Sequence, residues 1–157
     1  MEMVRRGIPF EIRSGIRFFE QVHIKDVTAY MRIIMNPLDE LAWKRVLGLY
    51  SKIGKITADK LWKFLVSKKS PLEEALCDDF LKCAPKVAKE GILRCQNTLG
   101  KLTSHLPGLC PSEIIEILLE SGYRDYLQEK YTDSASREDD LVQLSNFSSR
   151  FYSLEDF

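Results

Sequence analysis

Beyond its first twenty residues the chain sets its apolar side chains three and four positions apart, the spacing of a helix face rather than of a strand. Val27, Tyr30, Met31 and Ile34 fall at i, i+3, i+4 and i+7, which predicts a helix over residues 22–34. Only residues 8–15 alternate like a strand, with Ile8, Phe10 and Ile12 ahead of Ser14 and Gly15. A lone strand is a poor independent structure, so this one is expected to belong to a sheet outside the chain. The expected fold class is therefore all-α: a compact multi-helix domain with at most a short N-terminal strand.

Local signals divide the rest. Asn36 and Pro37 suit the cap and first position of a second helix, with Asp39 and Glu40 at its positive end. That helix is expected to turn Leu38, Leu41, Ala42 and Leu49 inward and to stop near Gly48. A third runs to about Ser67. Ser70-Pro-Leu-Glu73 has the form of a capping box opening a fourth. A long helix is predicted over residues 85–105, with Val87, Gly91, Cys95, Leu99, Leu102 and Leu106 as its core stripe. Helices over 112–121 and 123–131 follow, separated by Gly122, and a last one over 137–150. Ser153 looks like the cap of a helix that does not continue, which reads as an excised fragment.

The 157 residues balance 23 basic against 23 acidic side chains, yet the balance is uneven along the chain. Residues 44–69 carry a net charge of +7, and residues 112–157 a net of −7. A neutral protein with one basic block can bind an anion locally; a solvated lysine-rich helix face is the competing reading. No apolar run of about 18 residues could span a membrane, and the N-terminus lacks the apolar core of a secretory signal. Cys77, Cys83, Cys95 and Cys110 include no Cys-x-x-Cys pair, and with His23 and His105 they complete no zinc pattern. They are expected to be reduced and mostly buried.

Catalytic signatures are missing. Gly48-Leu-Tyr-Ser-Lys-Ile-Gly54-Lys55 fails as a phosphate-binding loop: five residues separate its glycines, and Ile56 stands where a hydroxyl must hold magnesium. No nucleophile elbow is present. The acid pairs Asp78-Asp79 and Asp139-Asp140 have no histidine near them in sequence and read as solvated helix surface.

The sharpest local signal is Ser51-Lys-Ile-Gly-Lys-Ile-Thr-Ala-Asp-Lys-Leu61, a tight turn between two helices. Gly54 is expected at positive φ and Thr57 as the cap of the following helix. The amides around Gly54 would then point out of a positive helix end, a natural phosphate seat, with Lys52, Lys55 and Lys60 adding charge. The segment resembles the hairpin of helix-hairpin-helix DNA-binding motifs through Ile53, Gly54, Thr57, Ala58 and Leu61, with Lys52 in place of a first glycine. A plain helix–turn–helix connection is the alternative. Leu106-Pro-Gly-Leu-Cys-Pro111 repeats the rhythm, but Glu113 and Glu116 would repel phosphate, so a structural turn is expected there.

A wider pattern accompanies it. Gly7-Ile-Pro-Phe, Ser14-Gly-Ile-Arg-Phe-Phe-Glu20, Ile24-Lys-Asp26, Ala29-Tyr-Met-Arg-Ile33, Asn36-Pro-Leu-Asp39, Trp43-Lys-Arg45 and Ile53-Gly54 follow in order. Glu120-Ser-Gly-Tyr-Arg-Asp-Tyr-Leu127 and Ser136-Arg-Glu-Asp-Asp-Leu-Val-Gln-Leu144 add later matches. The series resembles the UvrD/Rep/PcrA-type superfamily 1 DNA helicases. It departs from them at Ser14, His23 and Lys52.

The resemblance implies the accessory 2B subdomain over residues 21–151. A remnant of the second motor domain would occupy residues 1–20, and the start of its returning segment residues 152–157. It implies a duplex-contacting, regulatory piece of an ATP-dependent 3′-to-5′ DNA helicase, cytoplasmic and nucleoid-associated. Lys25, Lys52, Ile53, Gly54, Lys55, Thr57 and Lys60 would touch duplex or junction backbone. Phe18, Phe19, Asp26, Tyr30, Arg32 and Asn36 would be architectural. Partners would be duplex DNA, the rest of the motor and other proteins. ATP and magnesium would belong to the absent motor, with no cofactor in this chain. A stand-alone helix-hairpin-helix module and a helical protein-interaction domain are the other readings.

Overall fold

The computed structural model describes residues 18–106 and 108–148, and these are helical with short connections. In chain order the helices are α1 (Val22–Met35), α2 (Glu40–Leu47), α3 (Lys55–Val66), α4 (Pro71–Glu74) and α5 (Asp78–Lys82). A 3₁₀ turn, Lys86–Ala88, leads into α6 (Lys89–Thr103). Then come α7 (Pro111–Leu118), a π-helical turn (Leu119–Tyr123), α8 (Arg124–Lys130) and α9 (Ser134–Ser148). The predicted strand and the predicted cap at Ser153 lie outside the described residues.

α1 is the hub. It packs on α2, α7 and α9, while α2 continues into α3 and α6 links α5 to α7. Its buried face carries Ile24, Val27, Tyr30, Met31 and Ile33. The centre of the core is filled by Trp43, Leu47, Leu61, Leu65, Ile92 and Leu99, all almost without exposure. Burying each such side chain contributes roughly 1.5–3 kcal/mol.

Two polar groups go into that core with partners. Asp26 is 2% exposed. Its carboxylate accepts from Arg45 Nε at 2.9 Å and from the Tyr123 hydroxyl at 2.8 Å. Burial, and then the facing Asp26 charge, push the Tyr123 phenol far above its ordinary value, so it remains a donor. His23, fully buried, bridges to α9: Arg137 Nη1 donates to Nδ1 at 3.1 Å, and Nε2 lies 2.9 Å from Asp140 Oδ2. An arginine N–H only donates, so Nδ1 is the acceptor and Nε2–H donates to Asp140. Asp140 is thus not the isolated surface acid its sequence neighbours suggested.

Several expected boundaries shift for physical reasons. α2 starts at Glu40, not after Asn36, because the Asp39 carboxylate caps Ala42 N–H at 3.1 Å while Asn36 Oδ1 turns back to Leu38 N–H. The register change sends Leu38 and Leu41 outward, Leu41 to 77% exposure, and Trp43, Val46 and Leu47 inward. Ser70 precedes α4 without a side-chain cap, so the capping box does not form. The long helix begins at Lys89, leaving Val87 exposed on the 3₁₀ turn. Gly122 does break the helical run that continues from α7, at φ 117° within the π-helical turn. α9 starts three residues earlier than expected, at Ser134. All four cysteines are free, but only Cys95 is buried; Cys77 is exposed, and Cys83 and Cys110 are half-buried.

Candidate nucleic-acid interface

The turn between α2 and α3 is built from the inside outward. Leu49 N–H and Tyr50 N–H bond back to Val46 and Leu47, and Ile53 N–H closes onto Tyr50 C=O. The Tyr50 hydroxyl is hydrogen-bonded to that of Tyr30 on α1, fixing the base of the turn. Burial raises both phenols, so both stay protonated. Ile53 then drops into the core and anchors the tip.

The left-handed residue of the turn is Lys52, at φ 67°. This corrects the expectation for Gly54, which has φ −87° and ψ −173° and serves as the backbone cap of α3. A non-glycine residue held left-handed costs roughly 1–2 kcal/mol. The turn therefore keeps a glycine-type conformation where the sequence supplies lysine. A Cβ at Gly54 would meet nothing within 4 Å, so nothing among the described residues requires a glycine there.

Thr57 is likewise not the cap. It is the third residue of α3, whose first intrahelical bond runs from Ala58 N–H to Gly54 C=O at 2.9 Å. The N–H groups of Lys55, Ile56 and Thr57 have no intrahelical acceptor, no side chain caps them, and the first turn holds no acid. The one acid of the helix, Asp59, is 2.9 Å from Lys44 Nζ, which also bonds Glu40 at 2.6 Å. The Lys44 hydrogen bond holds the Asp59 carboxyl below its ordinary value, and the bonds from Glu40 and Asp59 raise the Lys44 ammonium. Lys52, Lys55, Lys60 and Lys63 are exposed, and no ion pair among the described residues occupies them. Such a helix end is a positive, donor-rich surface suited to an anion.

Of the residues singled out from sequence, 52, 53, 54, 55, 57 and 60 share this turn and the first part of α3. Lys25 does not join them. It is exposed on α1, and no hydrogen bond or ion pair among the described residues links it to the turn.

One element of the site reads from sequence only as part of a core stripe. A Cβ on Gly91, at the start of α6, would stand 2.5 Å from the Ser51 carbonyl oxygen and 3.3 Å from Ser51 N. The turn backbone therefore rests directly on α6 at a position where only glycine leaves room. A glycine inside a helical pattern is a signal for such close packing, but it does not name the partner.

The turn before α7 repeats the backbone of the first. Gly108 is left-handed at φ 99°, Leu109 is buried, and Cys110 is extended as the cap. Its chemistry is opposite. Glu113 lies in the first turn of α7 and accepts from Cys110 Sγ at 3.1 Å, so the acid already meets the helix dipole. An open cleft of about 770 Å³ lies beside Tyr50 and Ser51; its lining mixes Arg94 and Lys101 with Glu120, Asp125 and Glu129.

The described residues thus form an all-helical unit in which the N-terminus of α3 combines uncapped amides with exposed lysines. The chain belongs to the UvrD-like helicase C-terminal domain family, whose model matches residues 1–105. Among individual proteins it is similar to the ATP-dependent DNA helicase PcrA of Staphylococcus epidermidis, at 30% identity over 88% of this chain and 19% of that protein. It is similar also to a probable DNA helicase II homolog of Rickettsia felis, at 27% identity over 98% of this chain and 24% of that protein. The chain thus spans about a fifth to a quarter of the length of these relatives. No helix among the described residues is long and apolar enough to cross a membrane.

Proposed function

We propose that residues 21–151 are the duplex-contacting, regulatory 2B-type subdomain of an ATP-dependent 3′-to-5′ DNA helicase. Residues 1–20 and 152–157 then belong to the adjoining motor domain. The turn at 52–57 acts as a helix-hairpin-helix grip on the DNA backbone. The carrying observation is the N-terminus of α3, where no side chain caps the first three amides, the first turn holds no acid, and Lys52, Lys55, Lys60 and Lys63 are exposed. Membership of the helicase family supplies the nucleic-acid context.

In this reading a phosphate sits on the amides of Lys55, Ile56 and Thr57. Lys52, Lys55 and Lys60 neutralise the phosphates beside it, Gly54 leaves the backbone open to approach, and Ile53 holds the loop to the core. Such contacts orient a duplex or junction without reading its sequence. Lys25 would reach the duplex separately, from α1. ATP and magnesium act in the motor, and unwinding is the motor's work. The setting is the bacterial cytoplasm, at the nucleoid.

The test is titration of a labelled duplex, beside single strand, from low to physiological salt. Each phosphate contact contributes about −0.9 to the slope of log K against log salt. A duplex preference that fades with salt and is lost on joint reversal of Lys52, Lys55 and Lys60 to Glu supports the reading. Undiminished binding by that variant refutes it.

A further inference from the structure

The end of α3 that carries the free amides also carries an apolar side chain that packing does not explain. Ile56 is 86% exposed, more than any other large hydrophobic among the described residues. α3 buries Ala58, Leu61, Trp62 and Leu65. Ile56 stands away from that face, and Lys60 and Lys63 follow it at i+4 and i+7 in one outward stripe. A single exposed apolar residue is ordinary on a protein surface. The setting of this one is not, because the exposed Lys52, Lys55, Lys60 and Lys63 flank it in sequence with no ion pair among the described residues, and the one acid of α3, Asp59, is engaged by Lys44.

Helical Cβ atoms tilt toward the N-terminus. Ile56 therefore leans toward the end where its own amide and those of its neighbours point. A strand whose phosphate rests on those amides presents its next surface, the sugar, to this side chain. We infer that Ile56 is an apolar contact to duplex DNA, lying against the deoxyribose of the strand gripped by α3, and that it supplies a salt-independent part of the binding. The inference rests on the DNA-contacting reading above and adds a second kind of force to it. Phosphate contacts weaken as salt displaces them. Apolar burial follows the area removed from water and does not.

That difference makes the two separable. The 157-residue chain and its Ile56→Ser, Ile56→Leu and Lys55→Glu variants are titrated with a short labelled duplex across a salt series, after thermal melts establish that each is folded. Losing one apolar side chain's burial corresponds to roughly tenfold in affinity. The expected result is an Ile56→Ser line parallel to the parent and about tenfold lower, Ile56→Leu close to the parent, and Lys55→Glu with a flatter slope. An Ile56→Ser line that overlays the parent while Lys55→Glu is flattened overturns the inference and leaves the hairpin reading standing. So does an Ile56→Ser line that converges with the parent at high salt, since the residue would then act only by placing the amides. Absence of duplex binding by the parent at any salt removes the hairpin reading, and the inference with it.

Discussion

Gly91 and Gly100 lie in the same helix and make a matched pair of substitutions. Alanine in a helix is favoured over glycine by about 0.8–1.0 kcal/mol, so both changes gain on propensity. At Gly100 the new Cβ meets nothing nearer than a Leu76 methyl at 4.0 Å, and Gly100→Ala should stabilise by up to about 1 kcal/mol. At Gly91 the Cβ would sit 2.5 Å from the Ser51 carbonyl oxygen and 3.3 Å from both Ser51 N and Tyr50 Cβ. Two of those three atoms are backbone, and even weak C–H···O contacts keep carbon about 3.3–3.6 Å from oxygen. The turn or the start of α6 must move by close to an ångström, and overpacking of this kind costs roughly 1–3 kcal/mol. Subtracting the two variants cancels most of the propensity gain, so Gly91→Ala should be less stable than Gly100→Ala by about 1–3 kcal/mol. Urea unfolding reads this as a lower midpoint at unchanged slope. Duplex affinity should fall in Gly91→Ala alone, because the displaced backbone carries Lys52 and Gly54. Equal midpoints for the two variants would refute the contact between the turn and α6.

Lys52→Gly removes the left-handed strain and should stabilise by up to about 1 kcal/mol, measured by the same unfolding; a loss of stability would contradict the conformation of the turn. Tyr123→Phe withdraws a donor from the buried Asp26 carboxylate and should cost about 1–3 kcal/mol. The Asp59 carboxyl is held low in the folded state by Lys44. Its contribution is therefore present above the ordinary carboxylate value and lost as pH falls through the lowered one. Carboxyl titration by NMR should show Asp59 moving up in Lys44→Met. The Cys95 thiol is pushed up to about 12 by burial; alkylation of the native chain at mildly alkaline pH should spare Cys95 and reach the exposed Cys77 first.

What the sequence disclosed, and what it withheld, follows from the range of each interaction. Periodicity placed α1 within a residue and found α6, because a buried helix face is written locally, and the glycine stop at Gly122 marked off α8. The second helix was misplaced because Asn36-Pro37 and Asp39 are both plausible starts. Only the docking of Trp43 and Val46 selects Asp39, and that choice turns Leu38 and Leu41 outward. Lysines 52, 55 and 60 were visible as a cluster, but the conformation was assigned to the glycine at 54 when the backbone needs it at Lys52. Glycine is the usual marker of a left-handed residue, and here it marks an open cap. The pairing of His23 with Asp140 joins residues 117 apart, and no local pattern announces it. Gly91 stood in the predicted stripe as one more core residue; that it carries the turn depends on the path of a segment forty positions earlier.

Asp26 and His23 also set a schedule. α1 leaves the ribosome well ahead of its partners, since Tyr123 comes 97 residues after Asp26, and Asp140 comes 117 residues after His23. A buried carboxylate or imidazole without its partner costs several kcal/mol, so the nascent helix cannot settle into its final packing when it emerges. At about 5–20 residues per second, the wait for α9 lasts roughly 6–25 seconds. Through that interval the lysine-rich turn is already synthesised while the hub beneath it is incomplete. The turn between α2 and α3 is thus made before the helices that brace it and is among the last parts of this unit to become rigid.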